Sequence, residues 1–85
     1  MPYRVELTAS AVREIKSLDR SIQRRIGARI DELAANPLPP GAKKLQGQPG
    51  HYRIQVGDYR VIYRIEKKIV TIVVVKIGHS REIYR

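Results

Sequence analysis

Eighty-five residues hold one domain with a single small core, and leave no room for a second domain or a deep cofactor cavity. The absence of cysteine excludes a disulfide framework, a thiolate zinc site and a cysteine nucleophile. Seventeen Lys and Arg against eight Asp and Glu give a net charge of +9, with Arg the more frequent cation, which points to a polyanionic partner gripped through phosphate or carboxylate.

Tyr3 to Leu7 sets Tyr3, Val5 and Leu7 against Arg4 and Glu6, the two-residue period of a strand. Thr8 can cap a following helix, because its hydroxyl accepts a backbone N–H. Ala11, Val12, Ile15 and Leu18 then recur on one helical face, which ends near Asp19. A second helix is predicted from about Arg20 to Ala35. Its apolar stripe is Ile22, Ile26, Ile30, Leu33 and Ala34, with Arg20, Arg24, Arg25 and Arg29 mostly off it. Asn36-Pro37 stops it, since the residue before proline is biased away from helical backbone. Almost no loop separates the two helices, so an antiparallel hairpin is expected.

Leu38 to Gly50 is rich in proline and glycine and reads as a loop anchored by Leu45, with Lys43 and Lys44 just before it. Three strands follow. His51 to Val56 puts Tyr52, Ile54 and Val56 on one face and Arg53 and Gln55 on the other. After a tight turn at Gly57-Asp58, Tyr59 to Ile65 puts Tyr59, Val61, Tyr63 and Ile65 on one face and Arg60, Ile62 and Arg64 on the other. A turn at Glu66-Lys67-Lys68 leads to Ile69–Ile77, a nearly unbroken apolar run expected to be a central strand buried on both sides. Gly78 ends it, and 79–85 form a short tail.

The expected fold is α+β: a helical hairpin packed on one face of a four-stranded, mainly antiparallel sheet, in the order β-α-α-β-β-β. The expected core is Val5, Leu7, Ile15, Leu18, Ile22, Ile26, Ile30, Leu33, Ile54, Val61, Tyr63, Val73 and Val75. The other sheet face then presents Arg53, Gln55, Arg60, Ile62 and Arg64, a floor suited to nucleic acid. No signal-peptide or membrane-spanning run is present, so a cytoplasmic protein without membrane attachment is expected. Two distant histidines without a carboxylate cluster, and no P-loop, Rossmann fingerprint or Ser/His/Asp set, predict no metal and no cofactor.

Four segments, in order, carry a resemblance: Lys43-Lys44-Leu45-Gln46-Gly47, Tyr52-Arg53-Ile54, Gly57-Asp58-Tyr59-Arg60-Val61-Ile62-Tyr63 and Gly78-His79-Ser80-Arg81-Glu82-Ile83-Tyr84-Arg85. Together they resemble the RelE/ParE toxin superfamily, over essentially the whole chain. The resemblance implies a RelE-type mRNA interferase that enters the ribosomal A site, needs no metal, and is neutralised by a cognate antitoxin through which alone it meets operator DNA. In such cleavage a 2′-OH attacks the adjacent phosphate and a 5′-OH leaves. The step needs a proton acceptor, positive charge on the phosphate and a proton for the leaving oxygen. Arg60 is the expected phosphate stabiliser and Arg53 the expected phosphate grip. Tyr84 can stack on a base, move a proton, or simply anchor the tail. Arg81 or His79 fills a basic tail role, because Ser80 stands where the family often has Arg. Gln55 stands where some relatives have a second lysine, and can bond but carry no charge. Lys43, Lys44, Gln55, Arg64, Arg24 and Arg25 are the expected RNA and ribosome contacts. Two other readings stay open: a ParE-like gyrase poison, and a non-catalytic adaptor that binds only its antitoxin and an operator.

Overall fold

The structure, a computed structural model, describes residues 2–82. Thr8 acts as the cap its position predicts. Its Oγ1 accepts the Ala11 N–H at 3.1 Å and starts α1 (Ala9–Lys16) directly after β1 (Arg4–Leu7). Three residues later α2 (Arg20–Ala35) begins, and it stops at Asn36, before Pro37. The strands that follow are β2 (Lys43–Lys44), β3 (His51–Val56), β4 (Tyr59–Glu66) and β5 (Thr71–His79).

The sheet therefore has five strands, in the order β1-β5-β4-β3-β2, where four were expected. The fifth is β2, which lies inside the expected loop and pairs Lys43 with Arg53 and Lys44 with Tyr52. Two exposed lysines have no apolar alternation to announce a strand. Their extended backbone is set by the partner strand. β1 runs parallel to β5, and every other pairing is antiparallel.

Both helices cover one face. Ala11, Ile26, Ile30 and Leu33 join Ile54, Val56, Val61, Tyr63, Ile72, Val74 and Ile77 in one buried cluster, with Val5, Leu7, Ile15, Leu18 and Ile22 packed at its margin. Val73 and Val75, expected in this core, face away from it. The ladder pairs Ile62 with Lys76 but Tyr63 with Val74, so Val75 is an extra residue on β5. Ile72 and Val74 face the helices before this bulge and Ile77 after it. Val73 stands opposite Arg64, and Val75 packs with Leu45 and Ile62 on the helix-free face. An unbroken Val/Ile run has no polar residue to fix which face is which.

The expected start of that strand is also displaced. Lys67–Ile69 form a 3-10 turn, and Val70 takes a left-handed backbone with φ 49°. Ile69 and Val70 are exposed rather than central.

Side chains close the edges that short strands leave open. β1 ends at Leu7, beside Val74. Beyond it the Thr8 N–H and Oγ1–H donate to the Val74 and Val75 carbonyls at 2.9 and 3.2 Å. Glu14 of α1 accepts the Ile77 N–H at 2.8 Å and the Lys76 ammonium at 3.3 Å. A carboxylate thus stands in for a missing strand.

Candidate nucleic-acid interface

Strand register decides what shares the helix-free face. Arg53 lies opposite Lys43 on β2 and Ile62 on β4, Gln55 lies opposite Arg60, and Arg64 lies opposite His51 and Val73. Arg53, Gln55, Arg60 and Arg64 therefore share this face as expected, and the unexpected strand β2 adds Lys43 to it. Leu45, Ile62 and Val75 form an apolar base among them, with Leu45 at 4% and Ile62 at 7% exposure. Among the described residues no helix buries this cluster. Leu45, folded back from the loop, packs on Ile62. This base was not foreseen, although Ile62 between Arg60 and Arg64 was the sign of an apolar contact on a charged face.

Two side chains are held in a chain of hydrogen bonds. Arg60 Nε donates to Gln55 Oε1 at 3.1 Å, and Gln55 Nε2 donates to the Gly57 carbonyl at 2.8 Å. On β5 the residue opposite Arg60 is Gly78. Arg64 Nε donates to Glu66 at 2.7 Å, and that carboxylate offsets its charge.

His79 is not brought to this face. It pairs with Tyr59 on the helix side of the sheet, with ring centroids 5.4 Å apart. Its Nδ1 accepts the Arg81 N–H at 3.1 Å, so the imidazole proton sits on Nε2 when the ring is neutral. The ring lines a separate cleft of about 420 Å³ with Glu14, Leu18, Tyr59 and Lys76. The tail begins at the β3–β4 turn, where the Ser80 N–H donates to the Asp58 carbonyl at 2.8 Å, and Arg81 is exposed just beyond. Tyr84 lies outside the described residues.

The remaining expected contacts ring the sheet edge. Lys44 pairs with Tyr52 and is exposed beside the 45–49 loop. Arg24 and Arg25 are exposed on α2, and among the described residues neither has a carboxylate in ion-pair range. Arg25 crosses the β3–β4 turn. Its Nη2 lies 3.1 Å from where a Cβ on Gly57 would be, and Gly57 has φ 60°, so both space and backbone call for glycine there. Arg29 reaches the Gln55 carbonyl at 3.5 Å, on the part of the β3 edge that β2 leaves bare. Cationic side chains therefore run from α2 around that edge to Arg53 and Arg60.

One titratable group is clearly shifted. Burial, and then the neighbouring Tyr52, push the Tyr63 phenol up to about 12. Its hydroxyl donates to the Pro37 carbonyl at 2.6 Å, which ties β4 to the loop that delivers β2.

The family model described as "ParE toxin of type II toxin-antitoxin system" matches residues 5–84. This chain belongs to the RelE/ParE toxin superfamily. Relatives carry the RelE side of that name. The chain is 30% identical to toxin RelG of Mycobacterium tuberculosis, over 100% of this chain and 99% of that one. It superposes on a chain of the RelE–RelB complex of Pyrococcus horikoshii with a TM-score of 0.82 and 33% identity, covering 93% of this chain and 96% of that one. A chain of a RelBE toxin–antitoxin complex of Mycobacterium tuberculosis gives a TM-score of 0.83 at 28% identity, covering 93% and 92%. Superfamily membership accounts for the four motif segments lying on one sheet, its loop and its tail.

Proposed function

We propose that this RelE/ParE-family toxin is a ribosome-dependent mRNA endonuclease that acts in the cytoplasm and is silenced by a cognate antitoxin. The observation that carries the reading is the helix-free face, where Arg60 and Arg53 stand with Lys43 around an apolar base. Among the described residues no helix is long and apolar enough to cross a membrane. In the proposed reaction the 2′-OH gives up its proton as its oxygen bonds to phosphorus, the P–O5′ bond breaks, and the 5′-oxygen takes up a proton and leaves as a hydroxyl, so no net proton is consumed. Arg60 offsets the charge that builds on the phosphate, while Arg53 and Lys43 hold the backbone on either side. Arg81 and Tyr84 complete the site from the tail, with proton handling assigned to Tyr84. His79, on the other side of the sheet, positions Arg81 through its backbone instead of meeting RNA. Arg24, Arg25 and Lys44 extend the cationic surface for the structured RNA of the ribosome. The open face is shallow, so the ribosome supplies the substrate geometry and free RNA is cut poorly. A partner of RelB type, named in the Pyrococcus horikoshii and Mycobacterium tuberculosis complexes, is the proposed antitoxin, and an acidic or amphipathic chain would offset the +9 charge.

Primer extension on a translated message tests the reading. Wild-type protein should cut, and Arg60→Ala should cut slower by about 10²–10³-fold, the usual loss for one preorganised donor, with unchanged circular dichroism. Full cleavage by a folded Arg60→Ala protein would overturn the role of Arg60. The ParE name of the matching family model favours a second reading, a gyrase poison. Inhibition of gyrase supercoiling, with the message left intact, would select it.

A further inference from the structure

We propose that His79 is a proton-sensitive latch on the tail: the neutral ring holds the turn that carries Arg81, and a proton on Nδ1 releases it. The inference rests on the cleavage reading for its consequence, because there Arg81 meets the message, but its geometry stands without it. β5 ends at His79, and beyond it each N–H of the turn finds an acceptor. The Ser80 N–H donates to the Asp58 carbonyl and the Glu82 N–H to the His79 carbonyl, both at 2.8 Å. The Arg81 N–H donates to the ring itself, at Nδ1, 3.1 Å away. A side-chain acceptor bonded to the N–H two residues on is the turn that Asn and Asp usually make. An imidazole replaces them only while Nδ1 keeps its lone pair. The ring is anchored on its other side, edge to face against Tyr59, with centroids 5.4 Å apart and planes at 70°. Tyr59 is the β4 residue paired with His79, so the sheet fixes the base of the latch. The Arg81 N–H and an added proton compete for one lone pair. Imidazoles take up that proton between about pH 8 and pH 5. Two N–H donors then face each other and the bond is lost. The titratable side chains around the ring are Tyr59 of β4, Glu14 of α1, Lys76 of β5 and Glu82 of the turn. Glu14 is engaged with Lys76 and the Ile77 N–H. Once its N–H is let go, Arg81 loses the fixed direction from which it grips phosphate.

The test has one arm that ignores activity. Solvent exchange of the Arg81 amide, taken relative to an unstructured chain at the same pH, measures the latch in ¹⁵N spectra. In wild type its protection should fall about tenfold between about pH 8 and about pH 5.5, the loss of one hydrogen bond. His79→Asn supplies an acceptor that does not titrate, and should stay protected at both pH values. His79→Phe keeps a ring against Tyr59 but no acceptor, and should be unprotected at both. In the cleavage arm, kcat of wild type relative to His79→Asn should fall about tenfold over the same range, a ratio in which the groups common to both proteins cancel. In an Arg81→Ala background the two should share one pH profile. Equal protection of the Arg81 amide in wild type at both pH values would overturn the proposal, as would a protected amide in His79→Phe. So would a kcat ratio that does not change while the amide is released, because release would then not reach the site. If wild type does not cut at any pH, the cleavage reading fails by itself, and the exchange arm still decides whether His79 holds the tail.

Discussion

Removing one hydroxyl tests how the loop that carries β2 is tied to the sheet. Tyr63 is fully buried, and its phenol donates to the Pro37 carbonyl at 2.6 Å. Tyr63→Phe leaves the ring in place and takes away that bond, a loss of about 1–2 kcal/mol for a buried pair left half-made. The hydroxyl also sets an alkaline limit. Its folded value of about 12 lies above the ordinary 10.0 because burial disfavours the phenolate. The neutral form is the one stabilised, so the contribution is complete below pH 10 and is lost as pH rises through 10 towards 12. Linkage over this shift gives about 1.4 kcal/mol lost by pH 11, and about 2.7 kcal/mol once both states are ionised. Urea unfolding of wild type and Tyr63→Phe at pH 8 and pH 11 measures both effects, and the comparison cancels the titration of the lysines. The wild type should be more stable at pH 8 and should lose about 1.4 kcal/mol more than the variant by pH 11. The same pH dependence in the two proteins would refute this reasoning, because it would mean that the Tyr63 phenol ionises as easily folded as unfolded.

Two further substitutions probe backbone features. Val70→Asn should raise stability by about 1 kcal/mol in thermal unfolding, since a β-branched residue at φ 49° is strained and Asn tolerates that region; a lower melting temperature would count against strain at this turn. Glu14→Ala should cost about 1–3 kcal/mol and speed hydrogen exchange of the Ile77 amide, which would lose its acceptor on the bare edge of β5. Unchanged Ile77 exchange would show that the edge needs no such cover.

Where side-chain pattern and backbone agree, the fold could be read ahead of the structure. Thr8 as a cap, the stop at Asn36-Pro37 and the alternating faces of β3 and β4 each rest on a local rule that tertiary contact did not overrule. The alternation in β3 and β4 also placed Arg53, Gln55, Arg60 and Arg64 on one face. The pattern failed where it carried no contrast. Lys43–Lys44 is a strand only because Arg53 and Tyr52 lie alongside it. In Thr71–His79 the apolar run hides both the bulge at Val75 and the face of each valine, and the same register turns His79 towards Tyr59. Glu14 on β5 and Gln55 on Arg60 are contacts between groups whose directions emerge only after packing. Nothing at the level of spacing distinguishes these two residues from other polar surface positions.

The helix-free face follows a different logic from the helix-covered one. Arginine and lysine side chains crowded on adjacent strands repel one another, by about 1 kcal/mol per pair at 4 Å even in water. A face built for stability alone would alternate signs across strands. Here the described carboxylate close to this cluster is Glu66, and it is spent on Arg64. Arg53 and Lys43 remain opposite each other without a described ion pair. Leu45, Ile62 and Val75 offset part of this cost by burying a second apolar cluster beneath the cations. They also hold the strands in register, so that the charges stay fixed. The field of Arg53 and Lys43 is then available to whatever anion arrives. In the proposed reading two do so in turn: the message phosphate, when the toxin acts, and an acidic antitoxin, when it is silenced. Both draw on the same cations, so an antitoxin that covers Arg53 and Lys43 need not reach Arg60 to stop cleavage. It removes the charges that hold the RNA on either side of the reacting phosphate, and leaves Arg60, still held by Gln55, without a substrate.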